Sequence, residues 1–84
     1  MPLDNLMNQP LFSQREFYRN AHWQSKFVLW PRRCDLSERP IWLERAYCGT
    51  RVITGPGDPV YEYRWLTKES FIQAALGGII NGTS

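Results

Sequence analysis

Apolar and polar positions alternate most strictly between Val60 and Leu66, where Tyr61, Tyr63 and Trp65 share one side and Val60, Glu62, Arg64 and Leu66 the other. A period of two predicts a strand over about 60–66. Three aromatics offer the better core, so this reading turns the rings inward and leaves Arg64 outside. Just upstream, TGPGDP at residues 54–59 is a turn: Pro56-Gly57 suits the central pair of a type II turn, with Gly57 at positive φ. Asp58-Pro59 then leaves the turn in extended geometry. IWLERAYCGTRVIT alternates too, with Ile41, Leu43, Arg45 and Tyr47 opposed to Trp42, Glu44, Ala46 and Cys48. Gly49 interrupts the pattern as a bulge or bend, giving strands at about 41–48 and 50–54. KFVLWP predicts a further strand at about 27–31, closed by Pro31, which cannot donate to a ladder. Between them RRCDLSERP carries turn chemistry in Asp35, Ser37 and Pro40.

Two helix-start signatures flank these strands. Ser13 with Glu16 forms a capping box between Phe12 and Phe17, the two halves of a hydrophobic staple, and predicts a helix over about 14–23. Its apolar face holds Phe17, Tyr18 and Ala21, with Arg15, Arg19 and Asn20 outward and His22 near its end. Leu66, Thr67 and Phe71 repeat the arrangement, with Glu69 in the first turn, and predict a helix over about 68–77. That helix presents Phe71, Ile72, Ala75 and Leu76 at helical spacing and stops at Gly77-Gly78. The expected fold class is α+β: a small antiparallel sheet of three or four strands with a helix at each end. One domain is expected over 12–78, preceded by an extended arm at 1–11 and followed by a tail at 79–84. The arm's Leu3, Leu6 and Met7 are poorly used on a solvated tail, so they are expected to lie against this domain or a neighbour.

Composition narrows the function. With 84 residues a second domain is excluded, and an aromatic share of 14%, including four Trp, makes a core of a few large rings. A net charge of +2 is too balanced to force nucleic-acid or membrane binding by field alone. Arg outnumbers Lys by eight to two, and Arg with aromatics suits contact surfaces. Residues 1–10 have neither the basic start nor the apolar run of a signal peptide, and the longest apolar run, Phe27–Trp30, is far short of a membrane span. No membrane partner and no secretion are expected, and the Asn81 sequon carries no weight.

Candidate chemistry is sparse. Catalysis needs a nucleophile with a base, paired carboxylates or a metal set; His22 stands alone, and nothing in its spacing from Cys34 orients a third group. Two cysteines, Cys34 and Cys48, could complete a zinc site with His22 and Asp35, but no C-x-x-C pair is present, and two buried thiols are the plainer reading. GPGDP has prolines where a phosphate cradle needs N–H groups. The expectation is therefore no catalytic residue, no metal and no cofactor. Arg32, Arg33, Arg51 and Arg64 interleave with rings as on a nucleic-acid stacking surface, yet alternation separates Arg64 from Tyr61, Tyr63 and Trp65, and acidic residues offset the rest. Nucleic acid thus stands second to a protein partner or self-association. The residues expected at a protein contact are Trp30, Arg32, Arg33, Arg51, Asp58, Leu3, Leu6 and Met7.

Residues 29–65, LWPRRCDLSERPIWLERAYCGTRVITGPGDPVYEYRW, resemble small proteins encoded by tailed bacteriophages in the run W-P-R-x-C, I-W-L-x-x-A-Y and T-G-P-G-x-P-V-x-E. The resemblance implies a minor virion component or a small early protein that binds a host factor, located in the host-cell cytoplasm or the virion. It carries over no site residue. The expected function is that of a non-enzymatic interaction protein, with a nucleic-acid-binding accessory protein as the first alternative and a zinc-stabilised module as the second.

Overall fold

The structure, a computed structural model, describes residues 12–80, the side chains of Phe12 and Ser13 excepted. The arm residues Leu3, Leu6 and Met7, the Phe12 and Ser13 side chains that open the first staple and capping box, and Asn81 lie outside what is described. Among the described residues seven elements follow in order: α1 (Phe12–Asn20), β1 (His22–Phe27), β2 (Arg32–Arg33), β3 (Pro40–Ile41), β4 (Arg45–Ile53), β5 (Val60–Leu66) and α2 (Lys68–Leu76). An antiparallel sheet in the order β1-β4-β5 and a two-stranded ribbon β2-β3 stand with a helix at each end, so the fold class is α+β.

Two boundaries fall where the pattern predicts. Gly57 has φ 105 at the tip of the β4–β5 hairpin, the left-handed value its turn requires. Thr67 caps α2 by accepting the Ser70 N–H at 3.2 Å, Glu69 sits in the first turn, and Gly78 at φ 75 ends the run. That left-handed step sends the chain back, and Ile79 N–H reaches Ala74 O at 2.9 Å. Ile80 is thereby buried in the core, with Ile79 packed beside it.

Three strand assignments shift. His22 and Trp23 leave the helix and open β1, because Trp23 is the one buried position of that strand, while Gln24, Ser25 and Lys26 are polar and exposed. An edge strand anchored by a single ring leaves little periodic trace. Residues 28–31 form a loop rather than a strand, and residues 40–41 pair with β2. Gly49 neither bulges nor bends β4: the register runs through it, with Trp23 on one side and Arg64 on the other. Its role is close approach, since a Cβ there would stand 2.7–2.8 Å from the Trp23 indole.

The largest correction concerns the faces of the sheet. Trp23, Gly49, Arg64 and their face-mates turn to the helices; Phe17 and Tyr18 of α1 pack edge-on against Trp23, and Tyr47 stacks on Phe71 of α2 at 3.9 Å. Parity in the register then puts Tyr61, Tyr63 and Trp65 on the opposite, open face, where Tyr61 is 56% and Tyr63 61% exposed. Arg64 and Glu62 go inside because each finds a partner there. The Arg64 guanidinium lies 5.0 Å over the Phe17 ring and 2.9 Å from Asp35, and Glu62 pairs with Arg51 at 3.2 Å. An Arg whose stem and plane cover apolar surface while its head is paired can replace a ring in a thin layer, whereas a Tyr tolerates water at its hydroxyl. Helix α2 is likewise turned from expectation. Ser70 and Ala74 are buried and Phe71 half-buried, while Ile72 and Leu76 face solvent.

Candidate functional site

Two pairs of adjacent, exposed large apolar residues, Leu29-Trp30 and Trp42-Leu43, sit in loops at one end of the sheet. These loops prolong the β1–β4 ladder. Val28 N–H donates to Glu44 O at 2.9 Å, Leu43 N–H donates to Val28 O at 2.8 Å, and the Trp42 indole N–H donates to Leu29 O at 3.2 Å. Val28 is buried as the anchor, and Phe27, Leu29, Trp30, Trp42 and Leu43 are each more than half exposed, Trp30 reaching 74%. Leu43 holds φ 53. A γ-branched side chain in left-handed geometry is uncommon, and the conformation persists because the two backbone bonds at Val28 fix both sides of the loop. The outcome is an apolar knob: five large side chains presented to solvent where backbone hydrogen bonds join the two loops at Val28.

A second cluster joins the ribbon to the helices. Cys34 is fully buried at the N-terminus of α2 and forms an isolated bridge with Trp65. Burial pushes its thiol up, but hydrogen bonds from Ser37, Ser70 and Thr67 outweigh it and bring the pKa down to about 7. Ser37 N–H and Thr67 N–H each lie 3.5 Å from the sulfur, and the Ser70 hydroxyl lies 3.4 Å away. With no exposed surface, this thiol links ribbon and helix. Its neighbour Asp35 accepts hydrogen bonds from Tyr18 Oη and, at 3.2 Å, from Gln14 Nε2, and pairs with Arg64. Burial, then the bond to Asp35, push the Tyr18 phenol far up, so it stays protonated. From Arg64 the chain of charges continues to Glu62, Arg51 and Glu16, which ties α1 to the sheet.

The sequence-derived contact residues do not converge on one site. Trp30 belongs to the knob. Arg32 lies 5.6 Å over the Trp65 ring, Arg33 is exposed in the ribbon opposite Pro40, and Asp58 is exposed at the hairpin tip. Arg51 sits half-buried 5.5 Å from the Phe17 ring, paired with Glu62 and Glu16. Phe27, Leu29, Trp42 and Leu43 are absent from the sequence-derived contact residues because all four fall within the expected strands at 27–31 and 41–48. The available signal was adjacency, since a strand with one covered face can bury only one of two neighbouring residues.

Cys34 and Cys48 are both free, and among the described residues no group of three or more His, Cys, Asp or Glu is placed to hold a metal. Cys34 faces Ser70 and Thr67 rather than His22, which opens β1 opposite Thr50. No described helix is long and apolar enough to cross a membrane. Comparison with protein-family models, with curated proteins and with solved structures gives no match.

Proposed function

We propose that this protein is a non-enzymatic interaction module that docks on another protein through the knob formed by Phe27, Leu29, Trp30, Trp42 and Leu43. The observation that carries the reading is the exposure of two tryptophans on loops joined to one another at Val28 by backbone hydrogen bonds and through the Trp42 indole to Leu29 O. Trp is the residue most enriched at binding hot spots, and a surface that needs no ordering on association loses little entropy when it binds. The resemblance of residues 29–65 to small tailed-phage proteins supports a setting in the virion or the infected cell, with the partner a virion protein or a host factor.

The test compares what is captured from the native setting by the wild-type chain and by Trp30→Ser/Leu43→Ser. Both side chains are solvent-exposed, so the variant keeps its thermal midpoint. A protein retained by the wild type and lost from the variant supports the reading; retention of the same proteins by both, or of none by the wild type, overturns it.

A further inference from the structure

The open face of the sheet is chemically unlike the knob. The register places His22, Gln24 and Lys26 of β1, Ala46, Cys48, Thr50 and Val52 of β4, and Tyr61, Tyr63 and Trp65 of β5 on it. None of these ten is acidic. The nearby carboxylates are engaged elsewhere: Glu62 with Arg51 and Arg64 on the helix side, Asp35 with Arg64, and Glu44 with Arg39. Lys26 and Arg32 instead border the face, lining with Cys48, Tyr63 and Trp65 a recess of about 220 Å³. Burial pushes the Cys48 thiol at its floor up, the two cations acting weakly the other way, so the floor is neutral and the rim positive.

The rings are also ordered along the strand. Tyr61, Tyr63 and Trp65 recur at every second residue, about 6.8 Å apart for antiparallel strands. That is twice the separation of stacked bases, about 3.4 Å per nucleotide within one strand, so successive rings match bases that have been pulled apart rather than a continuous stack. The Arg32 guanidinium carbon lies 5.6 Å from the Trp65 ring centroid, so this ring already has a cationic partner above it.

We infer that this face is a binding surface for single-stranded nucleic acid, with Tyr61 and Tyr63 stacking unpaired bases and Lys26 and Arg32 pairing with the phosphates beside the Trp65 recess. Charge complementarity selects this occupant: an apolar protein patch would not need Lys26 and Arg32 at its rim, a face without an acidic residue, and Glu62 and Asp35 paired with Arg51 and Arg64. The surface is independent of the knob, from which it shares no residue.

The experiment measures fluorescence anisotropy of labelled oligo(dT) and oligo(U) of about 15 nucleotides, with a duplex of the same length beside them. Binding to either single strand should exceed binding to the duplex. With two cations engaged, affinity should fall about sevenfold between about 50 mM and about 200 mM salt. Tyr61→Ala and Tyr63→Ala should each weaken binding about fivefold or more, Tyr63→Phe should retain it, and Lys26→Ala/Arg32→Ala should flatten the salt dependence. Both tyrosines are exposed, so near-ultraviolet circular dichroism outside the tyrosine contribution and the thermal midpoint should be unchanged. Absence of binding at about 50 mM salt, equal affinity for the duplex, or binding indifferent to loss of both rings would each overturn the inference.

Discussion

Gly49 shows how much one hydrogen atom can decide. Its α-carbon faces an indole held on three sides by Phe17, Tyr18 and Phe71, with the ring N–H bonded to Tyr18 O at 3.1 Å. A methyl group at 2.7–2.8 Å from that ring has nowhere to displace it, because the ring is fixed at both its polar and apolar edges. Gly49→Ala should therefore destabilise the fold by about 1–3 kcal/mol, read from the urea midpoint at unchanged slope. Cys34 makes the second single-residue prediction. Its folded pKa of about 7 lies below the ordinary 9, so between those values the unfolded chain holds more protons and stability climbs with pH. The contribution is complete above pH 9 and lost as pH falls through 7. Tyr18 acts with the opposite sign: its raised pKa gives stability that is present below the ordinary value of 10 and lost as pH rises beyond it. Thermal midpoints followed across pH should rise and then fall, with Cys34→Ser removing the rise and Tyr18→Phe the alkaline fall.

At the scale of elements, the two helices are attached by different physics. Helix α2 is attached by apolar stacking and by the capped end that also shelters Cys34. Replacing its cap by Thr67→Ala should cost about 1 kcal/mol. Helix α1, only nine residues long, relies on Phe17, Tyr18 and the charge chain Asp35–Arg64–Glu62–Arg51–Glu16. Asp35 is its key member, at 20% side-chain exposure with Arg64 at 27%. Asp35→Ala leaves both Arg64 and Tyr18 without this acceptor and should destabilise by about 1–3 kcal/mol. Hydrogen exchange should show the α1 amides opening before those of β4 and β5, since the lost contacts belong to the helix and not to the ladder.

For the molecule as a whole, the sequence disclosed the class of fold and several of its joints but not the sidedness of its sheet. The Thr67 cap, the Gly57 turn and the Gly77-Gly78 stop were legible because each depends on local backbone chemistry. The strand at 60–66 was legible because period two is itself local. Which face that strand buries is a different kind of fact, set by where α1 lands and whether Arg64 meets Asp35 there. Ranking side chains by apolar area put three rings inside and hid the open aromatic face. Likewise β1 was hidden because its only buried residue is Trp23, and the knob because its four loop residues owe their position to bonds between segments some fifteen residues apart in sequence. Trp30 is a contact residue expected from the sequence; the loop placement that exposes Leu29, Trp42 and Leu43 beside it is not legible there.

The hairpin tip is of practical use to all these measurements. Residues 54–59 are exposed throughout, and neither Gly55 nor Gly57 has a side-chain or distant backbone atom within 4 Å of where a Cβ would be. A short peptide tag spliced between Gly57 and Asp58 would lengthen a closed loop at a cost of roughly 0.6 kcal/mol per doubling. The tagged chain should keep its cooperative unfolding, and the knob at the other end of β4 would stay clear of the label. A protein this small thus contains its own immobilisation point, one that presents the knob outward from a sensor surface without touching either chain end.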